Sequence, residues 1–380
     1  MDGETARDRR VAVTGMGAVT AFGADVPALR RGAWSGESAI APVTLFGVSR
    51  FVATTGAEIR LVPADPAGEI SDRTERLGLA AAAEAMGPLA ALGPFGGVAV
   101  GTTLAGREGR VSPGALAALL ARRHGARGPV ATVSTACASG TAAIGLGAGW
   151  IREGRARCVL AGGADALSPF AFSGFDALRA LSPTAARPFD AGRDGLSLGE
   201  GAAFLLLEDE EEALRRGARV LARVTGYGSA ADAFHMTRPD PAGSGLARAA
   251  AAALADAGRT AADVGFVSAH GTGTVFNDAM EEAALAHLLG PRAGSVPVHG
   301  LKGAIGHTLG AAGALEAVLC VLVLGAEDVP PTAGHRAARP GSPLFVVSAA
   351  PYRPERRVDV ALSTSAAFSG TDAALVLERA

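Results

Sequence analysis

Three side chains in this sequence have the types and settings for thioester chemistry: Cys137, His270 and His307. Cys137 sits in STACASG (134–140), after a run with strand character and before an Ala/Gly/Leu run of helical length. A thiol at a helix N-terminus meets the positive end of the helix dipole and free N–H groups, which favour its thiolate. Ala136, Ala138 and Gly140 leave space for an acyl thioester to approach. His270 lies in SAHGTGT (268–274), at a strand end in a Gly-rich loop. His307 ends LKGAIGH (301–307), at the start of a second apolar helix. A histidine there has its cation disfavoured, so it is expected to be neutral with an N–H to donate. Such a group suits an enolate oxygen better than proton abstraction.

One further residue stands out by scarcity. The 35 basic residues are 34 Arg and one Lys, Lys302. A chain that otherwise uses guanidinium has kept one compact, three-donor ammonium, five positions before His307. That implies a place where a planar fork does not fit. Cys158 and Cys320 lie in apolar runs and read as small buried hydrophobes. His124, His287 and His299 read as structural, with His235 intermediate.

Short apolar runs must carry these residues. Strand character appears at 10–14, 98–100, 130–133, 159–161, 203–207, 221–225, 264–268, 296–299, 344–347 and 358–362. Ala/Leu-rich segments of helical length lie between them, which argues for an α/β architecture. VAVTGMGA (11–18) is echoed by ARVTGYGS (222–229), and STACASGTAAIGLG (134–147) by GAIGHTLGAAGALE (303–316). The second pair gives two helices without a polar face, which must be buried between layers. The expected fold is a five-layered α-β-α-β-α duplication. Gly15-x-Gly17 reads as a tight turn. It is not a dinucleotide fingerprint, because Thr20 stands where the third Gly belongs.

TACASG, SAHGTGT and LKGAIGHTLGAAG, in this order, resemble the Cys, His and Lys…His blocks of the elongating β-ketoacyl-acyl carrier protein synthases of the thiolase superfamily. The resemblance runs from about Arg10 to Ala380. It includes RPFDAGRDGLSLGEGAAFLLLE (187–208), DAFHMTRP (232–239) and GTDAALVLE (370–378). It implies a thiolase-like fold with an N-terminal half (10–215) bearing the nucleophile and a C-terminal half (216–380) bearing the histidines. It implies that Cys137 takes the acyl chain, and that His270 and His307 hold the malonyl carbonyl while CO2 leaves. Lys302 then belongs to a charge network that Asp278, Glu281 and Glu316 balance. By the same resemblance Thr272 and Thr274 bind the pantetheine arm, and the N–H groups of Cys137 and Phe368 form an oxyanion hole. No metal or redox cofactor is expected.

The sequence also departs from that family. Where the usual C-terminal loop reads Asn-Ser-Phe-Gly-Phe-Gly-Gly-Thr-Asn, residues 364–372 read TSAAFSGTD. Phe368 keeps the gating Phe, Ala367 and Ser369 replace its flanking glycines, and Ala366 replaces a Phe. A stiffer gate and a reshaped acyl pocket are expected. The 101–129 region and the 181–187 link are short. These trims point to a polyketide or polyene pathway rather than housekeeping fatty-acid synthesis. They leave the partner open between a homodimer and a heterodimer with a chain-length factor.

Two rival readings follow from the same resemblance. A non-condensing chain-length factor lacks the nucleophilic cysteine, and a synthase-like acyltransferase alters one histidine. Cys137, His270 and His307 together speak against both. A thiolase needs a second reactive cysteine near the C-terminus, and none follows Cys320. Basic and acidic residues nearly cancel, 35 against 37, which argues against nucleic acid or an anionic membrane as the main partner. An acidic acyl carrier protein needs only a local basic patch. The first ten residues are polar with no apolar h-region, and no run is long enough to span a bilayer, so a cytoplasmic location is expected. Three cysteines without C-x-x-C spacing give no disulfide framework and no zinc site.

Overall fold

Val-, Leu- and Ala-rich runs bounded by glycines form the strands, and the Ala-rich segments between them form the helices that cover them. The computed structural model describes residues 9–64, 68, 70–87, 89, 91–103 and 112–380. The first half contains β1 (Val11–Val19), α1 (Val26–Ser35), β2 (Ala41–Pro42), β3 (Thr55–Gly56), α2 (Arg73–Ala85) and β4 (Gly96–Gly101). It continues with α3 (Ala115–Arg123), β5 (Val130–Val133), α4 (Ser139–Arg152), β6 (Cys158–Asp165), α5 (Pro169–Ala177), β7 (Gly201–Asp209) and α6 (Glu210–Arg215). The second half opens with β8 (Ala222–Ala231), α7 (Ser244–Asp256), β9 (Phe266–Ser268), α8 (Val275–Leu289) and β10 (Pro297–His299). It ends with α9 (Lys302–Ile305), α10 (Ala312–Gly325), β11 (Phe345–Val346), β12 (Val360–Ala366) and β13 (Thr371–Arg379).

The strand order is β11-β10-β9-β12-β13-β8-β1-β7-β6-β4-β5. It divides into two copies of one pattern. In the first, β1 and β7 are antiparallel, β7 and β6 are antiparallel, and β6, β4 and β5 run parallel. In the second, β8, β13, β12, β9 and β10 repeat this pattern in order. The copies join edge to edge through Ala12↔Arg223 and Val13↔Ala222.

Helix α2 packs on β1, β6 and β7, and α7 packs on β8, β12 and β13. Between the sheets, α4 and α10 pack on each other and on strands of both halves. These are the five layers expected from the duplicated pattern. Helix α10 is buried almost throughout, including Cys320, as its lack of a polar face requires.

Two details differ from the sequence reading. Gly15 and Gly17 lie inside β1, not in a turn. A Cβ at Gly15 would lie 2.1 Å from the Ala85 carbonyl oxygen, and one at Gly17 2.0 Å from that of Ala81. Gly226 and Gly228 do the same in β8, at 2.0 Å from Ala253 O and 2.1 Å from Ala249 O. The repeated Gly-x-Gly thus lets a helix lie directly on a strand. The run 371–379 is also a strand, β13, which its polar ends hid. Of the shortened 101–129 region, residues 104–111 lie outside the described residues, as do the first eight residues. No helix among the described residues is long and apolar enough to cross a membrane.

Candidate active site

The two central helices begin side by side. Cys137 lies in a 3₁₀ turn, Ala136–Ala138, that runs into α4, and the turn Leu309–Ala311 runs likewise into α10. The first residue of each turn is left-handed: Ala136 has φ 48° and Leu309 φ 54°. Each costs about 1–2 kcal/mol for a non-glycine residue, so the surrounding fold must hold both turns in place. A Cβ at Gly140 would lie 2.7 Å from the Gly310 carbonyl oxygen, and one at Gly313 1.9 Å from Thr141 Oγ1. This close approach brings Cys137 from one half to His307 from the other. Backbone bonds from His307 N to Ser197 O (2.7 Å) and from Gly199 N to His307 O (3.0 Å) fix His307.

His270 follows β9 in a loop turned by Gly271 (φ 44°) and Gly273 (φ 81°). Glu281, nearly two turns into α8, accepts the N–H groups of His270 (2.7 Å) and Gly271 (2.8 Å) and the Thr364 hydroxyl (2.8 Å). The His270 and His307 rings lie 5.3 Å apart, edge to face at 84°. Lys302 Nζ donates to His270 Nδ1 (3.2 Å) and to the His270 carbonyl, and pairs with Glu316. Leu309 N–H donates to His307 Nδ1 at 3.1 Å. An ammonium and a backbone N–H can only donate, so Nδ1 is the acceptor in each ring and the proton sits on Nε2. Burial, then the Lys302 charge, holds both histidines well below the usual imidazole range. The His307 ring adds to this for His270. Both are therefore neutral N–H donors, which the helix-start setting led us to expect of His307.

The three expected acids play separate parts. Glu316 pairs with Lys302, and Glu281 holds the backbone of His270. Asp278 touches neither histidine. It accepts Phe189 N–H (2.7 Å) and Gly273 N–H (3.1 Å) and so shapes the loop. Burial pushes Glu281 and Glu316 up to about 7.

Cys137 corrects the sequence reading of its ionisation. Burial pushes its thiol up to about 11, against the downward pull of the Lys302 charge and hydrogen bonds from the backbone N–H groups of Phe368 and Cys137. Desolvation outweighs the favourable helix terminus, so the resting side chain is a thiol.

Cys137, His270, His307, Thr272, Thr274 and Phe368 line one cavity of about 280 Å³. Thr272 and Thr274 bond each other through their hydroxyls at 3.0 Å, and Thr274 also caps α8. Phe368 stacks on Phe175 at 5.5 Å between ring centres. Ser369 has φ 70°, a value that glycine takes freely, so the serine restricts the loop in a strained conformation. His235 is exposed, and its Nδ1 accepts the Thr237 and Arg238 N–H groups. His124, His287 and His299 do not line this cavity.

Sequence reasoning missed Asp165. It is fully buried at the end of β6 and accepts Thr102 Oγ1 (2.7 Å), Thr103 N (2.8 Å) and Gly310 N (2.7 Å). It thus ties the first half to the turn beneath α10. Its signal was slight: one acid closing the apolar run CVLAGGAD.

A buried thiol, two Nε2–H donors in the same cavity and a duplicated five-layer scaffold define a thiolase-like site for acyl transfer between thioesters. The comparisons narrow this class. The model of the "Beta-ketoacyl synthase, N-terminal domain" matches residues 96–213, and that of the "Beta-ketoacyl synthase, C-terminal domain" matches residues 221–336. The "Putative polyketide beta-ketoacyl synthase 1" of Streptomyces cyaneus is 39% identical over 414 residues, covering 97% of this chain and 98% of that protein. "The ishigamide ketosynthase/chain length factor" aligns with TM-score 0.90 at 34% identity, over 98% of this chain and 99% of the other. The structure titled "AntDE:AntF (apo): type II PKS acyl-carrier protein in complex with its ketosynthase bound to the hexaketide" aligns with TM-score 0.89 at 30% identity, over 98% and 99%. The chain belongs to the β-ketoacyl synthase family and is a condensing acyltransferase.

Proposed function

We propose that this enzyme elongates a polyketide-type chain by decarboxylative condensation on Cys137. An acyl group moves from the pantetheine of an acyl carrier protein to Cys137 Sγ, and the thiol proton leaves with the released pantetheine thiol. The N–H groups of Cys137 and Phe368 hold the oxyanion of this transfer. A malonyl thioester then enters past Thr272 and Thr274 and loses CO2. The Nε2–H groups of His270 and His307 hold its enolate oxygen, and the enolate carbon attacks the acyl-Cys137 thioester. Cys137 leaves as a thiolate and takes a proton from water to return to a thiol, and the β-ketoacyl chain leaves on the carrier. Lys302 and Glu316 keep His270 neutral and oriented. No step calls on a metal or redox cofactor.

The observation that carries this reading is that both rings in the Cys137 cavity have Nδ1 occupied as an acceptor, leaving two N–H donors and no free ring nitrogen to act as a base. The pathway and the partners rest on the polyketide synthases it resembles, two of them solved with a chain-length factor or a carrier protein. The repeated strand order supports a division into halves at 215/216, and we place the enzyme in the cytoplasm. Strand β5 ends the sheet, with Val130 45% exposed. We assign a partner subunit to that edge, either a second copy or a chain-length factor.

The test is intact mass after an acyl-carrier protein and again after malonyl-carrier protein, with Cys137→Ser as control. We expect an acyl adduct that disappears on adding malonyl-carrier protein, with a β-ketoacyl product two carbons longer. An adduct that persists, even with a chain-length factor added, overturns condensation in favour of acyl transfer alone.

A further inference from the structure

Asp165 sits where the half that bears Cys137 meets the half that bears His307, and no step of the condensation calls on it directly. It closes β6, is fully buried and does not line the Cys137 cavity. Its Oδ2 accepts Gly310 N–H at 2.7 Å and Thr103 N–H at 2.8 Å, and its Oδ1 accepts the Thr102 hydroxyl at 2.7 Å. Thr102 N–H donates in turn to Val133 O of β5 at 3.1 Å. The carboxylate thus anchors the turn Leu309–Ala311 to the ends of β4 and β6. That turn carries the amide on which the His307 ring depends. Leu309 N–H donates to His307 Nδ1 at 3.1 Å, and this bond keeps the ring proton on Nε2. Leu309 has φ 54°, and no side chain caps the turn it opens. A residue so strained keeps its angle only where its neighbours over-determine it. The next amide along the chain is the one that Asp165 accepts, in a charge-assisted bond. Packing clamps the same point. A Cβ at Gly310 would lie 2.7 Å from Asp165 Oδ2 and 2.7 Å from Thr102 Cα, and one at Gly163 2.4 Å from Gly310 O. The backbone bonds of His307 to Ser197 and Gly199 fix its main chain and leave the ring to the Leu309 amide.

We propose that Asp165 is a positioning residue for His307: by accepting Gly310 N–H it holds the Leu309 amide on His307 Nδ1, and so keeps Nε2–H presented to the Cys137 cavity. The inference rests on the condensing reading in one respect, that His307 Nε2–H holds the enolate oxygen. The tautomer of the ring can be read without any condensation.

The test compares Asp165→Asn, which can still accept Gly310 N–H, with Asp165→Leu, which cannot. Histidine is labelled with nitrogen-15, and the His307 ring signals are identified by their loss in His307→Ala. In the wild type and in Asp165→Asn, His307 should show the Nε2–H tautomer. In Asp165→Leu it should show a mixture of both tautomers. Single-turnover mass measurements then separate the half-reactions. Condensation should fall about a hundredfold in Asp165→Leu, the effect of losing one oxyanion donor, and stay near the wild-type rate in Asp165→Asn. Acylation of Cys137 should not fall with it. Burial and then the Asp165 charge push that thiol up, so removing the charge favours the thiolate. An unchanged His307 tautomer in Asp165→Leu, or equal losses in both half-reactions, overturns the proposal. Should Asp165→Leu misfold, Asp165→Asn decides. Its weaker, uncharged acceptor should move the His307 Nδ1 signal toward that of a free ring acceptor, and an unmoved signal overturns the proposal. A wild type that acylates but never condenses, with the tautomer lost in Asp165→Leu, would strike the condensing reading and leave the role of Asp165 standing.

Discussion

At the scale of single residues, the site is governed by what burial does to charge. The Lys302 charge acts on Cys137, His270 and His307 alike: it draws the thiol down and holds the imidazoles neutral. Lys302→Met should shift each titration upward. The Cys137 alkylation rate at fixed pH should fall about tenfold, the effect of one pKa unit, and the His270 and His307 proton signals should titrate nearer neutrality. A profile that matches the wild type would remove Lys302 from the network. Cys137, His270, His307 and Lys302 were legible in the sequence because their types are rare here and their motifs are short and Gly-rich. Asp165 was not, since it is one acid among many and only the fold shows that it is buried. The state of the thiol was misread for the same reason: sequence gives the helix terminus but not the depth at which it is buried.

At the scale of elements, glycine decides how closely helices and strands approach. Gly140 and Gly313 let α4 and α10 meet, and that contact sets the distance between nucleophile and donor. A side chain at 313 would run into Thr141, whose hydroxyl bonds Ser365 at 2.8 Å. Gly313→Val should cost about 1–3 kcal/mol in denaturant unfolding, in the range of overpacked cores. It should also lose condensation more than Cys137 acylation, since only condensation calls on His307 from the α10 side. Equal losses in both would show that the seam is merely structural. The strands around it were largely readable from their apolar runs. The Gly-x-Gly pairs were not, because a glycine in a turn and one beneath a helix look alike until the helix is placed.

At the scale of the molecule, the two halves share their interior. One hydrophobic cluster runs from Val11 and Ile144 in the first half through Leu205 to Leu315 and Leu375 in the second. Each half covers part of the other's inner strands, α10 lying on β6 and β7 and α4 on β8 and β13. The halves should therefore unfold in one transition, with circular dichroism and hydrogen exchange of β6 and β12 giving the same midpoint. Two separate midpoints would mean that each half has a core of its own. The duplication itself was visible in the paired echoes of sequence, whereas the β1–β8 seam that fuses the sheets was not. Lys302 carries a last consequence at this scale. The chain's single lysine is 2% exposed and enclosed by Glu316 and His270, so every cationic side chain on the described surface is an arginine or a histidine. Amine-directed crosslinkers and dyes find no lysine handle there, and immobilising this enzyme through a surface side chain for binding work calls for carboxylate coupling or an introduced lysine.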